Sequence, residues 1–417
     1  MVSRFVFCLA FLPAAALAPF AQAGDGILQI VISKTDQSLA VYRDGAEIAS
    51  SKVSTGKAGH ATPTGIFSIL EKRKYHESNL YSNAPMPFMQ RLTWSGIALH
   101  EGHVPAYPAS HGCIRLPGPF ARSLYGMTQR GVHVIVSEAP VVPVRIVHES
   151  LFQPRGDDAD RLLLTDTPLR PARSLAGDRP VEVAMNEASA LPADGASAKP
   201  QADMPPLRIL VTRRGDRERI LDMQTLLNRL GFDAGTPDGI AGRATVGAIT
   251  AFRIAHDLPE SKAVLDPAFL AALYEAAGTA EPPAGHLLVR RDFKPLFEAP
   301  IGIRDPEREL GTHFLVATDV DPALGHTEWT AMSLENRLAD ATAKRLGITE
   351  RLGRHEAGSA SDALSRLDIP PDVRERIERL LGAGSSITVT DNGISTETGQ
   401  GTDFITLTRA APPEKKS

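Results

Sequence analysis

Between residues 100 and 115 the chain places four groups able to do chemistry: His100, His103, His111 and Cys113. Two chemistries use such a set. A thiol nucleophile needs an imidazole nearby, because free cysteine is only slightly ionised at neutral pH. A zinc ion takes three or four His and Cys ligands, which the spacing H-x2-H-x7-H-x-C supplies. The surroundings of Cys113 favour the nucleophile. Gly112 lets the backbone approach a substrate closely, so that the Cys113 amide and a neighbouring N–H can form an oxyanion hole. Pro105, Tyr107 and Pro108 make a stiff loop that carries the chain from His100 back to Cys113. The short knuckles typical of zinc sites are missing, so no metal and no cofactor are expected. For each histidine taken alone, a structural or solvent-exposed role is the plain alternative.

The cysteine count sharpens this reading. The chain has 417 residues and two cysteines, and Cys8 lies in what reads as an export signal over residues 1–23. Arg4 gives a positive start, Phe5 to Ala18 is mostly apolar, and Ala21-Gln22-Ala23 is a small-x-small cleavage site. Pro13 and Pro19 interrupt a stretch already short of a membrane span of ~20 residues. The mature chain would then keep one thiol in a compartment where thiols are usually paired. Periplasmic or otherwise secreted localisation follows as an expectation. A formal net charge of −4 gives none of the basic excess of a nucleic-acid binder.

The elements that must position these residues are mostly strands. Ile27–Ile32 and Ser38–Tyr42 flank a polar turn, and Arg43-Asp44-Gly45 is a hairpin signal. Ile66–Leu70, Gly96–Leu99 and Val132–Val136 complete the set, with one helix expected over Pro119–Arg130. Residues 24–140 thus read as a mainly β domain. Residues 141–206 read as a linker region, flexible where Asn186–Pro206 is rich in Ala, Pro, Ser and Asp. Residues 207–278 read as three helices: Ile220, Met223, Leu227 and Leu230 at helical spacing, then Val246, Ile249 and Phe252. The third is capped by Asp266-Pro267. Residues 286–410 read as a third, mixed α/β unit, strand-like at both ends and helical from Leu334 to Leu381. The fold class is therefore a multidomain α+β chain.

Thr55-Gly56 with Thr62-Pro63-Thr64-Gly65-Ile66-Phe67, then His100, then Ser110-His111-Gly112-Cys113-Ile114-Arg115 resemble, in this order, the motifs of the YkuD-type L,D-transpeptidase catalytic domain. The resemblance implies a cysteine-dependent acyltransferase with Cys113 as nucleophile. His100 is favoured over His103 as the base by its place at a strand end. Ser110, His111, Gly112 and Arg115 would line the substrate or oxyanion side, Arg115 gripping a stem carboxylate or, equally, making a structural salt bridge. It also implies the substrate, the peptidoglycan stem tetrapeptide, and a role in cell wall biogenesis and cell shape through 3-3 cross-links.

Met223-Gln224-x-x-Leu227-x-x-Leu230-Gly231-Phe232, followed by Pro237-Asp238-Gly239-Ile240-x-Gly242-x-x-Thr245, resembles the three-helix peptidoglycan-binding domain. That resemblance implies a hold on the sacculus. The third unit, with its Glu397–Phe404 stretch, carries no recognisable catalytic set, so a structural or partner-binding role is expected. Two rivals remain at this point: an L,D-carboxypeptidase at the same site, and a non-catalytic peptidoglycan-binding protein with a vestigial Cys113. The flexible linker leads to the further expectation that the catalytic domain works without the later units.

Overall fold

The computed structural model describes residues 26–78, 83–155, 204–353, 356–399 and 401–408. The expected export signal and most of the expected linker lie outside the described residues.

The apolar runs of the first unit become adjacent strands. β1 (Leu28–Ser33) pairs antiparallel with β2 (Ser38–Arg43), and β2 with β3 (Ala46–Lys52). Asp44 (φ 50°) and Gly45 (φ 82°) make the tight turn between β2 and β3. β1 also pairs parallel with β9 (His133–Ser137), and β9 pairs antiparallel with β4 (Gly65–Ser68). A second, four-stranded sheet runs β5 (Glu71–Arg73), β6 (Met89–Arg91), β7 (Ala98–Glu101), β8 (Ile114–Leu116). Helix α1 (Gly118–Met127) follows β8. Between the two sheets lies a core of Ile30, Ile32, Phe67, Leu99, Ile114, Leu116, Leu124 and Val134.

Alternation along β1 and β9 leaves a second apolar face. Val31, Tyr42, Ile66 and Ile135 point away from that core and pack on Phe314, Val316, Met332 and Leu334 of the third unit. Strands buried on both faces read as continuous apolar runs rather than as alternation, which is the pattern of Leu28–Ile32 and Val134–Val136.

The third unit is an eight-stranded sheet, and here the expected boundaries are corrected. In order across the sheet it runs β10 (Val144–Ile146), β15 (His326–Leu334), β14 (Thr312–Asp321), β17 (Ser386–Thr390), β11 (Leu207–Arg213), β12 (Gly285–Arg291), β13 (Lys294–Ile303) and β16 (Leu367–Asp368). Residues 207–213, expected with the helical unit, are thus a central strand of this sheet, paired with β12 and β17. Residues 144–152, expected in the linker, belong to it as well. β10 pairs with β15, Leu151 and Phe152 are buried in its core, and the Trp329 indole donates to the Phe152 carbonyl at 3.1 Å. Strand pairing across such sequence distances has no local signature. Its far face is covered by two short helices, Ala360–Ser365 and Pro371–Glu378.

The chain then returns to the first unit. β18 (Thr406–Leu407) pairs antiparallel with β4 as the edge strand of the catalytic-side sheet, and Ile405 enters its core. The order of that six-stranded sheet is β18-β4-β9-β1-β2-β3. A buried polar seam accompanies the apolar one. Asp403 accepts from Ser68 Oγ at 3.1 Å and from Arg208 Nε at 2.9 Å, and His133 Nε2 lies 3.1 Å from Ser386 Oγ. The first unit's sheet is therefore completed at one edge by the end of the third unit and packed against it on one face.

The helical unit is an insertion between β11 and β12. Its helices, α2 (Asp216–Arg229), α3 (Arg243–Ala255) and α4 (Pro267–Ala276), enclose their own core around Met223, Leu227, Phe252 and Phe269. Gly231 at φ 89° ends α2, and Asp266 caps α4 by accepting from the Phe269 amide at 3.0 Å. Val246, expected on the apolar face of α3, is exposed. Gln224 is 1% exposed and organises the Asp238–Thr245 turn. Its Oε1 accepts from the Asp238 and Gly239 amides, and its Nε2 donates to Asp238, Ile240 and Thr245.

Candidate active site

β7 and β8 run parallel, with His100 opposite Arg115. Leu99, Ile114 and Leu116 face the core, so His100 and Arg115 share the other face. Cys113 lies two residues before Arg115, immediately ahead of β8. Its partly exposed thiol packs among Met86, Met89 and Ala98 and donates to the Gly96 carbonyl at 3.4 Å. Arg115 acts electrostatically on both the His100 imidazole and the Cys113 thiol.

The tautomer of His100 is fixed by its neighbour. Nδ1 lies 2.7 Å from the Glu101 carbonyl oxygen, which can only accept, so Nδ1 carries the proton and Nε2 keeps a lone pair. Burial, helped by the Arg115 charge, brings the His100 pKa down to about 4. Burial likewise pushes the Cys113 thiol up, against the Ala98 amide and the charges of Arg115 and Arg91. The resting pair is thus neutral thiol and neutral imidazole. This arrangement suits a base that takes the proton as the sulfur attacks.

The low value for His100 has a consequence for stability. The folded pKa of about 4 lies below the model value of 6.5. The contribution is therefore full above about pH 6.5 and is lost as pH falls through 4. The difference corresponds to about 3 kcal/mol, at about 1.4 kcal/mol per unit. Urea unfolding at pH 7 and pH 4 should show His100→Asn losing about 3 kcal/mol less than wild type over that interval. Equal losses in the two proteins would contradict it.

Cys113 is presented by a loop with every turn pinned. Ser110 is 1% exposed; its Oγ donates to the Cys113 carbonyl at 2.5 Å and accepts from the Gly112 amide at 3.1 Å. Gly112 has φ 118°, and a Cβ there would sit 2.8 Å from Ile97 Cδ1, so only glycine fits. Ser110 Oγ and the Gly112 N–H are both engaged within the loop. The Gly112 N–H is already bonded, whereas the Cys113 amide has no partner among the described residues and stays available as an oxyanion donor.

His111 is exposed and meets His60 edge-on, with ring centroids 4.7 Å apart. Partial burial and the nearby charges of Lys57, His60 and Arg115 lower its pKa. Arg115 lies along Gly102, and no ion pair joins it to a carboxylate among the described residues. His103 sits beyond the end of β7, exposed. Among the described residues no three His, Cys, Asp or Glu side chains converge as a metal-ligand set.

Some framework residues were given no role from the sequence. Thr62 Oγ1 accepts from the Gly56 amide at 2.8 Å and donates to the Gly112 carbonyl at 2.7 Å, tying three motif segments together. Its place in Thr62-Pro63-Thr64-Gly65 was the signal that could have found it. Gln37 secures Thr55, and Arg91 acts on the thiol through its charge; neither has a local motif.

Residues 28–141 match the YkuD family, the L,D-transpeptidase catalytic domain, and residues 216–273 match a peptidoglycan binding domain. The chain thus carries a YkuD-type catalytic domain and, inserted in the third unit's sheet, a peptidoglycan-binding domain. Among solved structures, an L,D-transpeptidase (Yku) from Stackebrandtia nassauensis is 31% identical over 28% of this chain and 60% of its own, with a TM-score of 0.26. An L,D-transpeptidase from Mycobacterium smegmatis is 24% identical over 27% of this chain and 59% of its own, also with a TM-score of 0.26. This chain therefore spans about 60% of the length of those relatives. No curated protein matches.

Proposed function

We propose that the protein is a peptidoglycan L,D-transpeptidase that acts through a thioester on Cys113. The observation that supports the reading is the placement of half-buried Cys113, immediately ahead of β8, beside the strand β7 that carries the buried His100 imidazole in a fixed tautomer. The Cys113 sulfur attacks the carbonyl carbon at the L-centre of the third stem residue, and His100 Nε2 takes the thiol proton. The Cys113 amide stabilises the developing oxyanion. The C–N bond to the terminal D-Ala breaks, and its amine leaves with the proton returned from His100. An amine of a second stem then attacks the thioester, losing a proton to His100. The new amide forms and the thiol is restored. Arg115 on β8 and the exposed His111 of the loop hold the stem carboxylates.

Export to the periplasm places the enzyme beside this substrate, and the helical unit holds it to the sacculus. No helix among the described residues is long and apolar enough to cross a membrane. Transfer to water instead of an amine would make the same site a carboxypeptidase. Purified protein incubated with disaccharide tetrapeptides should release D-Ala and give 3-3 cross-linked dimers by mass spectrometry. Tripeptides without dimers would establish the hydrolytic reading, and unchanged tetrapeptide would end both.

A further inference from the structure

After β17 the chain crosses from the third unit onto the catalytic domain as a strap that ends at β18. It meets the framework of the candidate site at two separate places. At the first, Thr408 N donates to the Thr64 carbonyl at 3.0 Å and Thr408 Oγ1 donates to Thr64 Oγ1 at 2.8 Å. Thr64 follows Thr62 by two residues, and Thr62 holds the Gly112 carbonyl. At the second, Glu397 Oε2 accepts from the Trp94 amide at 3.2 Å and from the Ser95 amide at 3.4 Å. Those amides belong to the Thr93–Gly96 turn between β6 and β7. The same turn supplies the Gly96 carbonyl that accepts the Cys113 thiol, and Ile97 beyond it lies against Gly112.

We propose that Glu397 is a positioning residue for the Cys113 thiol, acting through the Thr93–Gly96 turn. This rests on the reading of Cys113 as the nucleophile. The turn itself is closed by Thr93 N to Ile97 O at 3.2 Å, Gly96 N to Thr93 O at 3.4 Å, and Thr93 Oγ1 to Ile97 N and Ser95 Oγ, both at 3.0 Å; none of these engages the Trp94 or Ser95 amide. The Glu397 carboxylate adds two bonds to adjacent amides of the turn, at 3.2 and 3.4 Å. Both bonds end on one oxygen, so a glutamine carbonyl can replace them without the charge. A carbonyl accepting from a thiol favours the neutral form. Loosening the turn therefore costs orientation while easing ionisation.

The test compares full-length wild type, Glu397→Ala and Glu397→Gln. The readouts are kcat and KM on a disaccharide tetrapeptide, the pH midpoint of Cys113 alkylation by iodoacetamide followed by intact mass, and Tm. The alanine variant should lose about tenfold in kcat with KM within about twofold of wild type. Its alkylation midpoint should fall by about half a unit. The glutamine variant should stay within about threefold of wild type in kcat. An alanine variant indistinguishable from wild type overturns the proposal. So does an equal loss in both variants with a lowered Tm and an unmoved midpoint, the signature of a merely structural contact. If wild type itself shows no Cys113-dependent turnover, the transpeptidase reading fails, and the alkylation midpoint alone still decides for or against Glu397.

Discussion

Cys113→Ser is expected to reduce turnover by on the order of 10^3-fold or more while leaving the fold intact. The sulfur is held only weakly, 3.4 Å from the Gly96 carbonyl and beside the Ala98 amide, and the loop is held by Ser110, Gly112 and Thr62 rather than by the thiol. A serine hydroxyl fits that space without disturbing those bonds. It fails chemically because it is far less acidic than a thiol, and a neutral imidazole whose pKa is about 4 is a weak base. Muropeptide mass spectrometry would read turnover, and thermal unfolding would read the fold. Wild-type product levels from a folded serine variant would remove Cys113 from the mechanism.

The second large effect concerns where the chain can be cut. A protein ending at Pro206 should fail to fold. It would lose β18 and Ile405 from the catalytic side and expose Val31, Tyr42, Ile66 and Ile135, which now pack on the third unit. Burial of each such side chain is worth about 1.5–3 kcal/mol. Losing four competes with the whole stability of a typical domain, about 5–15 kcal/mol. Excising 216–278 should behave differently. Arg213 pairs with Gly285, and Arg214 N donates to the Ala284 carbonyl at 2.8 Å, so the ends of the insertion already lie side by side. The helical unit also keeps its own core. With a short Gly-Ser turn in its place, the remaining protein should turn over soluble tetrapeptide within about threefold of wild type and lose its pull-down on insoluble sacculi. The reason is that tethering raises local substrate concentration without altering the cleft. A folded, active protein ending at Pro206 would refute the structural dependence. Undiminished sacculus binding after excision would refute the role of the helical unit.

What the sequence determined by itself was local chemistry and local shape. His100, Gly112 and Cys113 stand at spacings that suit a thiol site. The Gln224 and Asp238–Thr245 motif carries the hydrogen bonds of its own turn, and Asp266-Pro267 caps its own helix. Each depends on neighbours within a few turns of chain, so residue type and spacing suffice. The tertiary structure decided everything that rests on distant partners. It placed Leu207–Arg213 in the centre of a sheet, and it spent Ser110 and Gly112 inside the loop. It also joined the end of the chain to the catalytic sheet through Thr408 and Thr64, 344 residues apart. A strand buried on both faces shows its apolarity but not which strand will lie beside it, because ladder hydrogen bonds are made by backbone groups that every residue carries. That is why the family motifs could be read from a dozen residues and the strand partners could not.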